Sequence, residues 1–207
     1  MKNKFLIGLG AVLTTISSSA FVVSCNNTNE NVKKTDSDTP AANTAATKVV
    51  LSTQGTKNAG EVASAQGDKQ QLQYEQYQEN FSEVEFRPTP GKTIVDADLI
   101  TPKKGTGLQV FISTYDGATT VYGKSESKRP FEGIKLGTLE NIPSGFTVAN
   151  ADRPTYQSKS KEYTQNSGYI NVENVDGHYK IKFRFFRSGN REAQGTVGTE
   201  VYELFIS

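Results

Sequence analysis

One cysteine, one histidine, one methionine and no tryptophan occur in a chain of 207 residues, and each scarcity removes a class of chemistry. A single Cys cannot close an intramolecular disulfide, build a Cys-based zinc site or form a CxxC redox centre. A single His excludes a multi-His metal centre and weighs against a His-dependent nucleophilic triad. The net charge of +1 offers no global attraction to nucleic acid, so none is expected as a partner. Hydrophobic residues make up only 35% of the chain, and its length suits one domain or at most two.

What is present begins with an address. Lys2 and Lys4 precede an apolar run from Phe5 to Val23, diluted by Thr14, Thr15 and Ser17 to Ser19. A basic start, a short apolar core and a small residue at its end read as a secretory signal over residues 1–24. The hydroxyls make the run too weak for a stable transmembrane helix. No amphipathic period or cap supports a buried N-terminal helix instead.

The only Cys follows directly, and Val22-Val23-Ser24-Cys25 resembles the lipobox of bacterial lipoproteins. The resemblance implies that the Cys25 thiol receives a diacylglycerol and that cleavage makes Cys25 the first residue. Two acyl chains anchor a protein stably, at about 0.8 kcal/mol per buried methylene. Losing Lys2 and Lys4 turns the net charge slightly negative, so electrostatics would add little to attachment. The expected location is the cell envelope, lipid-anchored and facing away from the cytoplasm.

Residues 25–70 are rich in Asn, Thr, Ala, Ser, Lys and Gly before the first aromatic residues of the following segment. Such composition predicts a flexible tether, which as a coil would span roughly 35–40 Å r.m.s.. Val49-Val50-Leu51 has strand character but no pairing partner nearby. Over residues 71–90, Tyr74, Tyr77, Phe81 and Val84 fall at helical offsets and predict a short amphipathic helix, stopped by Pro88 and Pro90.

Residues 91–207 turn to β signals. LQVFISTYDGATTVYG reads as a hairpin with a type I′ turn at Asp116-Gly117. Its register pairs Tyr115 with Ala118, Ser113 with Thr120, Ile112 with Val121, and Phe111 with Tyr122. GYINVENVDGHYKIKFRFF reads as a second hairpin turning at Asp176-Gly177. Its register pairs Val175 with His178, Glu173 with Lys180, Val172 with Ile181, Asn171 with Lys182, Ile170 with Phe183, and Tyr169 with Arg184. Further strands are expected at Thr93–Val95, Ile134–Leu139, Thr147–Ala149 and Val201–Ile206. The fold class is mainly β: an antiparallel β-sandwich or open barrel of about seven or eight strands.

The alternating strand, DG turn and Tyr/Ile/Phe-rich partner over Ser167–Arg187 resemble small β-sandwich lipoproteins of the Bacteroidetes envelope. Short signals ending in VSCNN are similar to those of mycoplasma lipoproteins, so both sources stay open.

The inventory for chemistry is short. His178 sits just after a hairpin turn, and no GxSxG elbow is present. Asp96, Asp98, Glu132 and Glu140 are the carboxylates that could act in pairs, as in glycoside hydrolysis. No DxDxDG loop marks calcium. Lys103-Lys104-Gly105-Thr106-Gly107 lacks P-loop spacing. No cofactor and no metal are expected. The feature that stands out is a stripe of Lys180, Lys182 and Arg184 interleaved with aromatic residues, with Tyr169 opposite Arg184. It reads as a face for an anionic glycan or an envelope protein, or else as the polar side of a half-buried sheet partly neutralised by Glu173. The expected function is a lipid-anchored surface protein with a non-enzymatic binding or scaffolding β domain. The alternative is a secreted carbohydrate-active enzyme using paired carboxylates.

Overall fold

A computed structural model describes residues 45–66, 70–103, 105–115, 117–152, 154, 168–189 and 195–207. The signal segment, Cys25 and the first part of the expected tether lie outside the described residues.

Strands begin earlier than the composition suggests. Thr47–Lys48 (β1), Val50–Leu51 (β2), Val62–Gln66 (β3), Gln70–Glu75 (β4) and Glu85–Pro88 (β5) all precede Gly91. The tether assignment therefore fails from residue 45 onward, and the helix expected over 71–90 does not form. Leu72 and Tyr74 alternate with Gln71, Gln73 and Glu75, which is the period of a strand. Of the four residues at helical offsets, Tyr74, Phe81 and Val84 are indeed buried, and Tyr77 packs partly buried against the core. They reach the interior from a strand and from the irregular segment after it, and that bend mimics helical spacing. β1 and β2, two residues each, hold only because they add to distant strands: Thr47 pairs with Phe86, and Leu51 with Tyr202.

The first hairpin, Leu108–Tyr115 (β6) with Ala118–Tyr122 (β7), has the expected register at every pair from Phe111–Tyr122 to Tyr115–Ala118. Gly117 has φ +80°, as its turn requires; Asp116 lies outside the described residues. Lys135–Glu140 (β8) extends this sheet beside β7, and β5 pairs with β8. Thr93–Val95 is not a strand; the chain there runs into a 3-10 turn at Asp96–Asp98.

The second hairpin is Tyr169–Val175 (β10) with His178–Arg187 (β11). Asp176 and Gly177 have φ of 52° and 82°, a pair of left-handed residues fitting a type I′ turn. The pairs Val175–His178, Glu173–Lys180 and Val172–Ile181 form as expected. The pairs expected beyond them do not. Phe146–Asn150 (β9) takes that edge of β11 from Phe183 to Arg187. β10 instead turns its other edge to β6, where Tyr169 pairs with Phe111 and Ile170 with Val110.

β11 is the organising strand. Its opposite edge pairs with Tyr202–Ile206 (β13) over Tyr179–Phe183 and with Thr196–Gly198 (β12) at Phe186 and Arg187. β12 runs parallel to β4, whose other neighbour is β3. The result is a mainly β, open, curled sheet of half-barrel form. Its strands exceed the expected seven or eight because residues 47–88 supply five of them.

One side of the sheet holds the main core, with Val110, Ile112, Val121, Leu136, Ile170, Ile181, Phe183 and Leu204 essentially inaccessible. Each such side chain contributes about 1.5–3 kcal/mol relative to exposure. Phe81 stacks on Phe185 with ring centroids 3.8 Å apart, so the irregular segment after β4 is pinned to β11. A second cluster of Leu72, Tyr74, Ala149, Phe186 and Val197 lies on the other side of β11. The last turns of β11 are thus buried on both faces, which decides the fate of the stripe.

Candidate functional site

Along β11, Lys180, Lys182, Arg184 and Phe186 share one face by the two-residue period of a strand. The first half of that face meets solvent, and the second half lies under β4. The three cations expected to act together are therefore separated.

Lys180 and Lys182 stand between two carboxylates, one from each neighbouring strand. Lys180 Nζ is 3.2 Å from Glu173 Oε2 on β10 and 3.7 Å from Glu203 Oε2 on β13. Lys182 Nζ is 3.3 Å from Glu173 Oε1 and 3.8 Å from Glu203 Oε1. Ser52 Oγ donates to Glu203 Oε1 at 2.9 Å, tying the segment after β2 to the same network. Burial pushes the Glu173 carboxyl up, but hydrogen bonds from Lys180 and Lys182 outweigh it and hold it below its ordinary value. The hydrogen bond to Glu173 raises Lys180 above its ordinary value. Two ammonium groups matched by two carboxylates do not make a free cationic surface. Glu173 was visible as the hairpin partner of Lys180. Glu203 was missed because it sits in a strand that pairs with β11 only in the folded chain.

Arg184 is 2% exposed. Its Nε donates to Ala151 O at 3.0 Å, and its Nη1 donates to Thr199 O at 2.6 Å and Gly198 O at 3.3 Å. Nη2 donates to the carbonyl of Gly55. The guanidinium carbon lies 5.0 Å from the centroid of the Tyr74 ring. Burial lowers the Arg184 pKa from its ordinary value, partly opposed by Tyr74 and Asp152. Arg184 is thus an internal clamp on four carbonyls from three backbone segments and is not available to a ligand. The readable signal was Phe185-Phe186: two adjacent aromatic residues in a strand require that both faces be covered.

Tyr169 lies 39% exposed, away from Arg184. Its ring is 4.9 Å from that of Phe111, its neighbour across the β6–β10 pairing. His178 is exposed at its turn and meets the Phe205 ring edge-on at 6.4 Å.

The four candidate carboxylates each have a local partner. Asp98, 7% exposed, accepts from Lys92 Nζ at 2.6 Å and from the Val95 N–H at 3.0 Å. Burial pushes its carboxyl up, and those two hydrogen bonds more than reverse the shift. Asp96 accepts from the Tyr179 hydroxyl at 2.6 Å. Glu132 accepts from Arg129 and Glu140 from Arg87, both at 2.9 Å. Among the described residues, no three His, Cys, Asp or Glu side chains gather as a metal site, and no helix is long and apolar enough to cross a membrane.

Neither a curated protein nor a solved structure matches the chain. Residues 56–207 match the family model of the Mycoplasma P30 protein. The match agrees with the mycoplasma side of the resemblance carried by the VSCNN ending at residues 23–27, and it is compatible with a membrane or surface protein. With well over half of its length covered, the chain belongs to the Mycoplasma P30 family.

Proposed function

We propose that this chain is a lipid-anchored protein of the cell surface whose β domain binds or scaffolds without catalysing a reaction. The observation that carries the reading is the placement of the sole cysteine. Cys25 ends a basic-then-apolar leader, in a Val-Val-Ser-Cys setting. The match to a Mycoplasma family agrees with the likeness of this leader to those of mycoplasma lipoproteins. The non-catalytic part draws its support from the carboxylates. Asp98, Glu132 and Glu140 each sit against a Lys or Arg, and Asp96 is engaged by a phenol, which is how structural carboxylates are held. A general acid would instead need a raised pKa, whereas the pKa values of Asp98 and Glu132 are lowered by their hydrogen-bonding partners.

The test is metabolic labelling with radioactive palmitate, with detergent phase partitioning of the wild type and of Cys25→Ser. The expected result is a labelled, detergent-phase wild type and an unlabelled, water-phase variant. A free thiol at position 25, or a mature chain starting elsewhere, would overturn the anchor.

A further inference from the structure

The most exposed large apolar side chains among the described residues are Val50, at 64%, and Leu51, at 52%. Both stand on β2, and Phe205, 39% exposed, stands on the paired strand β13. Val50 pairs with Glu203, and Phe205 is two residues further along the same strand. Val50, Glu203 and Phe205 therefore share one face. Lys180, which pairs with Phe205, and Lys182, which pairs with Glu203, lie on that face too. The patch thus combines apolar side chains with two ammonium groups whose charge is balanced by Glu173 and Glu203.

Its position in the chain says what it faces. Val50 is five residues beyond Ala45, and nineteen residues separate Ala45 from Cys25. Fully extended, that connection spans no more than about 70 Å. The side of the domain that bears the patch is the side at which the chain enters, so a lipid on Cys25 would be connected to the domain from this side. We infer that the β2–β13 edge, through Val50 and Phe205 on their shared face, rests on the lipid surface. The inference builds on the lipid-anchor reading above. Aliphatic and aromatic side chains seat in the headgroup boundary. A net-neutral charge network leaves contact with zwitterionic lipid unopposed.

Cys25 is the only native cysteine, so lipidation leaves an introduced thiol as the single reactive one. The lipidated protein carrying Val50→Cys or, as a control on another part of the sheet, Ile134→Cys is labelled with an environment-sensitive fluorophore. Each is reconstituted in phosphatidylcholine vesicles with brominated acyl chains. The expected result is a blue shift and a loss of emission to bromine at position 50, with neither at position 134. Adding Phe205→Ser should reduce the loss at position 50 while the protein stays on the vesicles. Absence of quenching at position 50, or equal quenching at both positions, overturns the inference. A blue shift without quenching means that protein, such as a second copy, covers the edge, and it also overturns the inference. Mass spectrometry of the Cys25 peptide separates the two readings: a missing lipid sinks the anchor and this contact together, whereas an intact lipid with an unquenched position 50 sinks the contact alone.

Discussion

Arg184 donates to the carbonyl of Gly55, 129 positions earlier, while its guanidinium carbon lies 5.0 Å from the centroid of the Tyr74 ring. One side chain thereby ties the N-terminal segment and β4 to the C-terminal half of the sheet. Arg184→Ala should cost about 2–4 kcal/mol, combining a cavity with carbonyls left unsatisfied. Arg184→Lys should also destabilise, because a single ammonium cannot reproduce the fork of donors. Urea midpoints measure both, and an unchanged midpoint for Arg184→Ala would contradict the clamp.

Tyr179 holds its proton unusually well. Burial, then the hydrogen bond to Asp96, pushes its phenol up to about 12 from an ordinary 10.0. A raised folded-state value contributes stability that is fully present below pH 10 and lost as pH rises through about 12. Alkaline titration by absorbance, taken as the difference between wild type and Tyr179→Phe, should place this phenol near 12. In Asp96→Asn the same difference should move toward the ordinary value, because the carboxylate no longer opposes a second negative charge.

The turn of the second hairpin offers a paired test. Gly177, at φ 82°, should lose about 1 kcal/mol as Gly177→Ala, since a Cβ is unfavourable in the left-handed region. Asp176→Asn, at φ 52°, should be nearly neutral because Asn tolerates that conformation and suits a type I′ turn. Thermal melts of the two variants should differ accordingly, and equal losses would argue against this turn.

At Gly137 the constraint is space. A Cβ there would run into the Arg87 carbonyl and the Phe86 ring, both on the neighbouring strand β5. Gly137→Ala should destabilise by about 1–3 kcal/mol, the usual range for overpacking. A thermal melt no lower than that of the wild type would show that β5 yields freely.

Local chemistry was legible residue by residue. Asp-Gly between alternating runs placed both hairpin turns, and the turn type set which residues stand opposite each other. That is why Ile112 meets Val121 and Glu173 meets Lys180 as expected. The error at Tyr169–Arg184 begins where another strand competes for the same edge: β9 displaces β10 from Phe183 onward. The error over residues 71–90 has a different source. Tyr74, Tyr77, Phe81 and Val84 carry a genuine burial signal, but spacing alone cannot tell a helix from a strand followed by a bend. Along the basic stripe, Lys180 and Lys182 share one face as the two-residue period predicts, whereas Arg184 further along that face is covered.

By itself the sequence determined the mainly β class, the two turns, the registers nearest to them and the inward set Ile112, Val121, Ile170, Ile181 and Phe183. These follow from backbone preferences and a two-residue period, which act over a few residues. Only the tertiary structure decided that β1 and β2 exist, that Glu203 completes the charge network, and that Arg184 lies inside rather than on the surface. Each of those depends on a strand arriving from far along the chain: β5 for β1, β13 for both β2 and Glu203, and β4 over Arg184. Alternation assigns a side chain to a face, but what covers that face is set by long-range pairing.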